Sequence, residues 1–287
     1  MTTHEITTSA IDLAFEIAVR RLADDLRYGS DVARFAGSGV DYLQSRRFVQ
    51  GDPIKSIDWR VTARTGHVHV KEYEALKGIP IYLVVDTSSS MAVSSTPMSK
   101  QTLAAMLAGG LALAGQSRLS PVGLLAGGER DLHFQPSLAR GRVFQWLHAL
   151  RHHRFDERTL LAERLAHLES LLPSMSLVIV ISDLHDADAV TAIKRIAQRH
   201  DSMVIQTEDP AERGGLRGGW FRGQEAESGK TFFAGGGSRW FDSAEERPGQ
   251  TLRRAGVDHL LLSTGQPFVA PLRRFLVDRG GLMRNRR

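Results

Sequence analysis

The stretch IYLVVDTSSSM, residues 81–91, decides how the rest of the chain is read. Its first five residues are apolar without a break, as a strand covered on both faces requires. The run ends on an acid, Asp86, and hydroxyls follow at Thr87, Ser88, Ser89 and Ser90. Outward from this point the same kind of run recurs in MSLVIVISD, which ends on Asp183, and in SMVIQTED. PVGLLAG and DHLLLST supply two more strands. Between them lie helical patterns such as SKQTLAAMLAGGLALAGQS and DADAVTAIKRIAQRH. Strands alternating with helices specify an α/β fold, here a doubly wound, mostly parallel sheet of Rossmann-like type.

The first 77 residues read differently and form an N-terminal α+β accessory segment, followed by the main domain over 78–287. Residues 8–27 repeat apolar side chains at helical spacing, with Ile11, Phe15, Ala18 and Leu22 on one face. Asp52 followed by Pro53 suggests a helix start, from which Ile54, Ile57 and Val61 would face inward. HVHVKEY alternates and reads as a strand. Arg46, Asp52, Asp58, Arg60 and Arg64 crowd around Trp59; either ion pairs among Asp58, Arg60 and Arg64 fix this segment on the main domain, or the group offers a basic surface to an acidic partner loop or nucleic acid. His67 and His69 have no third ligand nearby and read as surface or packing residues. Near 211–241 a Gly-rich insertion interrupts the pattern and leaves room for short hairpins. PFVAPLRRFLVDRGG reads as a final helix stopped by Gly280.

Composition narrows the functional classes. The chain has 287 residues, no cysteine and a formal net charge of +5. Disulfides and thiolate metal sites are excluded, and a reducing compartment is expected. The N-terminus lacks a secretory pattern, and LAAMLAGGLALAG at 103–115 is too short for a bilayer span, so a cytoplasmic location is expected. The basic excess is spread arginine with a small terminal cluster, MRNRR, and no nucleic-acid-binding motif accompanies it.

In an open α/β sheet, ligands bind beyond the carboxyl ends of the strands. Asp86 and Asp183 both end strands on that edge. Asp86, Ser88 and Ser90 form a D-x-S-x-S array whose alternate side chains can turn to one point, giving a small all-oxygen site suited to Mg²⁺, with Mn²⁺ or Ca²⁺ as substitutes. Asp183 could ligate directly or through a water. The alternative is that these serines cap the next helix and satisfy loop backbone. Thr87 and Ser89 would point away and serve the loop.

DTSSSM after a buried strand, with VISD later, resembles the metal-ion-dependent adhesion site of von Willebrand factor A-like domains. The resemblance implies a metal held by Asp86, Ser88, Ser90, Thr159 and Asp183, although Glu157 and Arg158 stand where such loops often carry glycine before the threonine. The segment GSGVDYLQSRRFVQGDPIKSIDWRVTARTGHVHVKEYE, with EDPAE, ESGK and LLLSTGQPFVAPLRRFL, resembles a bacterial domain-of-unknown-function family that carries such a domain. Many of its members have membrane helices near the N-terminus, which this chain lacks. That resemblance implies partnership with a MoxR-type AAA+ ATPase, and a non-enzymatic protein-interaction role in which an acidic residue of the partner completes the metal's coordination.

Two other classes compete. A metal-dependent phosphohydrolase of the haloacid-dehalogenase kind needs a second Asp two residues after the first, where this chain has Ser88. Neither a G-x-S-x-G elbow nor a G-x-x-x-x-G-K-[ST] loop is present. A basic nucleic-acid binder would rest on charge alone.

Overall fold

The computed structural model describes residues 3–27, 41–52, 54–74, 78–152, 156–172, 175–213, 221–224, 231–234 and 248–283. A six-stranded sheet organises them. In chain order its strands are β3 (Ile81–Val85), β4 (Val122–Ala126), β5 (His133–Ser137), β6 (Leu177–Ser182), β7 (Asp201–Glu208) and β10 (Asp258–Ser263). In space the order is β10-β7-β6-β3-β4-β5. All neighbours pair parallel except β4 and β5. The chain therefore builds outward from β3 through β4, then returns to the other side of β3 with β6. That reversal makes the β3/β6 junction the switch point of the sheet, where the loops leaving the two strands part and open a crevice.

Alternation along the central strands supplies both faces of the core. Ile81, Leu83 and Val85 of β3, with Leu177, Ile179 and Ile181 of β6, belong to one buried cluster. Tyr82, Val84, Val178 and Val180 belong to the other. The first face is covered by α3 (Lys100–Gln116), α4 (Arg140–Arg151) and α8 (Val269–Met283), the second by α5 (Leu161–Leu171), α6 (Ala187–Ile196) and α7 (Pro248–Arg254). The α/β, mostly parallel sheet expected from the sequence is thus present.

The N-terminal helix α1 (Thr3–Arg27) lies on α3 and sends Val19, Leu22 and Leu26 into the first cluster. Its approach depends on the glycine pair in the middle of α3. A Cβ on Gly110 would sit 2.6 Å from Leu22 Cδ2, and one on Gly109 would sit 2.7 Å from Val19 Cγ1. Gly110→Val is expected to lift α1 from α3 and to lower stability by about 1–3 kcal/mol through overpacking, read as an earlier urea midpoint. An unchanged midpoint would show that α1 is not held by this contact.

A smaller unit follows: β1 (Asp41–Arg47), α2 (Trp59–Thr65) and β2 (His69–Glu74), with β1 and β2 antiparallel. Here the structure departs from the sequence reading. The helix begins at Asp58, whose side chain accepts from the backbone N–H groups of Arg60 and Val61. Asp52 instead accepts from Val49 N and from both terminal nitrogens of Arg46. Local residue type suits either aspartate as a cap, and the contact of Ser45 Oγ with Asp58 Oδ2 at 2.7 Å favours the second. A separate 3₁₀ turn over Ile54–Ser56 does follow the Asp52-Pro53 signal, but Ile54 falls outside α2 and is 75% exposed rather than inward-facing. The crowded charges resolve into an Arg46–Asp52 pair and a capping Asp58, while Arg60 and Arg64 are exposed.

Other differences are local. In the Gly-rich region β8 (Phe221–Gln224) and β9 (Thr231–Ala234) form an antiparallel pair, and most of the remaining insertion lies outside the described residues, as does the terminal arginine cluster. Helix α8 continues through Gly280 to Met283. Between β10, β7 and α7, the His259 Nε2–H donates to Gln206 Oε1, 2.9 Å away. Burial, aided by the charge of Arg253, pushes its pKa from 6.5 down to about 4. The folded state therefore binds fewer protons than the unfolded state between those values, so stability is full above pH 6.5 and falls as pH drops toward about 4. Partial exposure screens the effect to about 1–2 kcal/mol. Urea midpoints at neutral and mildly acidic pH should differ by less in His259→Gln than in wild type, and an equal difference would assign the acid sensitivity elsewhere.

Candidate metal centre at the sheet switch point

Asp86 leaves the end of β3 and Asp183 the end of β6, so the reversal of strand order sets them side by side. Both are 2% exposed. Asp86 Oδ1 accepts the backbone N–H of Ser88 at 3.0 Å, and Oδ2 accepts Ser182 Oγ at 2.7 Å. The hydroxyls of Ser88 and Ser90 lie 3.0 Å apart, and Ser90 donates to Asp183 Oδ2 at 2.8 Å. One chain of contacts thus joins Asp86, Ser88, Ser90 and Asp183. Ser90 is the partly exposed member and marks the mouth of the site.

The turn after β6 is held tightly. Leu184 takes a left-handed backbone with φ of 59°, which costs a non-glycine residue roughly 1 kcal/mol. Its N–H donates to Ser182 Oγ at 2.9 Å. Such local strain persists where surrounding structure fixes it, and here it aims Asp183 into the crevice.

The electrostatics of the two acids diverge. Burial, reinforced by the charge of Asp183, pushes the Asp86 carboxyl up to about 6 against the opposing hydrogen bonds of Ser182 and Ser88. For Asp183 burial acts upward too, but His185, Lys100 and the bonds from Lys100 and Ser90 outweigh it and hold the carboxyl below its ordinary value. Lys100, the first residue of α3, is fully buried. Its ammonium donates to Asp183 Oδ2 at 2.8 Å and also pairs with Glu212. Burial would lower the Lys100 pKa, but the two carboxylates raise it. Asp183 Oδ2 therefore serves Ser90, Lys100 and, at 3.3 Å, His185.

Thr159 lies on the loop before α5. That loop is tied to the serine segment by Ser89 N donating to Glu157 O at 2.9 Å. The Thr159 hydroxyl is buried and has no hydrogen-bond partner. Thr87 turns away from Asp86 and donates to Glu157 Oε2 at 3.0 Å. Arg130 pairs with the other oxygen of Glu157. Gly128 lies beneath this contact, where a Cβ would displace the Glu157 carboxylate. Glu157, which occupies a position where glycine was the expectation, thus anchors the loop.

The donor set fits a hard cation. Asp86 retains lone pairs on both oxygens, and the paired serine hydroxyls lie between it and Asp183; the buried Thr159 hydroxyl, on the loop tied to Ser89, has no partner. The like charges of Asp86 and Asp183 are the repulsion a cation would relieve. Sequence reasoning missed Lys100, Ser182, Glu157 and Glu212. Lys100 alone left a local signal: a lysine in the first turn of a helix runs against the helix dipole unless something anionic faces it.

Comparison with known proteins agrees with the family expectation at a coarse level. At 26% identity the chain matches the uncharacterized protein Rv1480 of Mycobacterium tuberculosis over 92% of its own length and 87% of the relative's. The uncharacterized protein Mb1516 of Mycobacterium bovis matches to the same extent. A crystal structure described as an uncharacterized membrane spanning protein from Vibrio fischeri aligns over 69% of this chain and 96% of that one, at 15% identity and a TM-score of 0.26. The cytoplasmic location expected from the sequence is not upheld. Its basis was a missing signal and the lack of a long apolar run, which bear on this chain's own spans and not on where the protein resides. No helix among the described residues is long and apolar enough to cross a membrane. Residues 44–239 match the family described as Protein of unknown function DUF58, and the chain belongs to that family.

Proposed function

We propose that this protein is a non-enzymatic interaction module of the von Willebrand factor A-like type, which recruits a partner through a divalent cation held at the β3/β6 switch point. The observation that carries the reading is the convergence of Asp86, Ser88, Ser90 and Asp183 at the ends of β3 and β6. Mg²⁺ suits such oxygens and keeps exchangeable positions in its octahedron. When bound, the cation supplies an electrophilic point that a carboxylate from another molecule can occupy. Asp86 and the two serines would hold it. Asp183, whose Oδ2 is already engaged, would act behind them by orienting Ser90.

The partner would present an acidic residue, and the family resemblance points to a MoxR-type AAA+ ATPase in complex assembly or remodelling. Position 88, where a phosphatase would need its acid, is a buried serine bonded to Ser90, which favours docking over phosphoryl transfer. Co-precipitation of a MoxR-type ATPase encoded beside the gene tests this. Binding is expected with wild type in Mg²⁺, and loss is expected with EDTA or with Asp86→Ala. Equal recovery in all conditions would sink metal-bridged recruitment.

A further inference from the structure

Helix α2 has no buried residue. Seven-residue helices do not persist alone in water, and most helical stability in proteins comes from a packed face. This one is held by its ends and along one edge: Asp58 caps the start, Gly66, with φ of 72°, donates its N–H to Thr62 O at the finish, and the Thr62 hydroxyl accepts from His69 N of β2. Such an arrangement leaves the side that carries Trp59, Arg60 and Arg64 exposed. What it presents is apolar and basic. Trp59 is 68% exposed, and Val49, Ile54, Phe48 and Val68 are exposed in the same unit. Backbone contacts bring them together. Phe48 N donates to Val68 O at 2.9 Å, and Asp58 N, next to Trp59, donates to His69 O at 2.8 Å.

The charge around α2 is one-sided, because the acids Asp41, Glu72 and Glu74 of this unit sit at the far end of the β1–β2 pair. Between residues 45 and 71 the acids are Asp52 and Asp58. Both are engaged internally, Asp52 by Arg46 and Val49, Asp58 by Ser45 and the α2 backbone. The cations Arg47, Arg60, Arg64 and Lys71 face outward.

We infer that the β1–α2–β2 unit is a second docking surface, whose occupant is an acidic protein segment carrying aromatic or aliphatic side chains. Charge complementarity selects an acidic occupant, and the exposed Trp59 and Ile54 select one with apolar anchors. An exposed tryptophan flanked by arginine has the composition of a binding hot spot. Nucleic acid is less well matched, because Val49, Ile54 and Val68 neither stack on bases nor contact phosphates. A membrane surface is less well matched too, since interfacial binding uses a long amphipathic helix and these residues are divided among a turn, a short helix and strand ends.

The test uses the full-length chain and a display library of random linear peptides. Wild type is expected to enrich sequences that combine acids with aromatic or aliphatic residues. By fluorescence anisotropy, a selected peptide should bind Trp59→Ala at least about tenfold more weakly and should not bind Arg60→Glu/Arg64→Glu detectably. All three side chains are exposed, and circular dichroism should confirm that both variants fold. Asp86→Ala should leave the affinity unchanged, which separates this surface from the metal site. The inference is overturned if no acidic and apolar sequences are enriched, or if Trp59→Ala binds them as wild type does. It is also overturned if phosphatidylglycerol vesicles or single-stranded DNA bind in an Arg60- and Arg64-dependent way while peptides do not.

Discussion

Replacing Lys100 with methionine is expected to lower the stability of the protein by about 3–5 kcal/mol, the cost of removing one partner from a buried charge pair. Methionine keeps the bulk of the aliphatic stem, so the loss falls on the ammonium. Without it, the 2%-exposed Asp183 keeps only Ser90 and His185 at Oδ2, and Glu212 loses its cation. In a chain of this size the melting temperature should fall by roughly 10 °C. Adding Glu212→Gln should recover part of the loss, because one of the two stranded carboxylates is then neutral. A methionine variant as stable as wild type would mean that the amine does not neutralise this cluster. The prediction also bears on the site, since Lys100 fixes the oxygen of Asp183 that receives the Ser90 hydroxyl. Its charge lies behind the serine loop, where it balances Asp183 and leaves Asp86 as the acid with lone pairs to offer.

How much of this could be read beforehand depended on sequence distance. Asp86 and Asp183 were legible because each ends an unbroken apolar run, and parallel strands in a doubly wound sheet put such ends on one edge. The D-x-S-x-S spacing was legible for the same local reason. The lysine that settles Asp183 comes from 83 residues away, and Thr87 meets Glu157 across 70. No window of sequence carries those contacts, because they follow from which helix covers which face. β5 was missed because HFQPS neither alternates nor runs apolar and contains Pro136, which an antiparallel edge strand tolerates. The start of α2 was misplaced because Asp-Pro is a strong local signal, while the contact between Ser45 and Asp58 is a tertiary one. In each case the residues that define the crevice were visible, and those that tune it were not.

Asp86→Asn should separate the function of the site from its role in folding. The amide keeps the size of the side chain and can still accept from Ser182 or the Ser88 N–H. It removes a buried negative charge that repels Asp183 and that burial already disfavours. Metal-free Asp86→Asn should therefore be as stable as wild type or more so. Metal binding should move the other way. Loss of a residue that only orients a ligand costs 10- to 100-fold in metal affinity, so loss of the principal anionic ligand should cost about 100-fold or more. Titration calorimetry with Mg²⁺ and Mn²⁺ reads the affinity directly, and the rise in melting temperature that either ion gives to wild type should vanish in the variant. Thr159→Val supplies the finer contrast. Its buried hydroxyl has no partner, so its removal should stabilise the metal-free protein by about 1 kcal/mol or more. If Thr159 is a ligand, the same change should weaken the ion; if it is not, affinity should be untouched. A gain in metal-free stability together with a loss of cation binding at both positions is what a site built to hold a cation would give, whereas serines and acids serving only as helix caps and loop supports would lose stability at Asp86 and show no cation dependence at either.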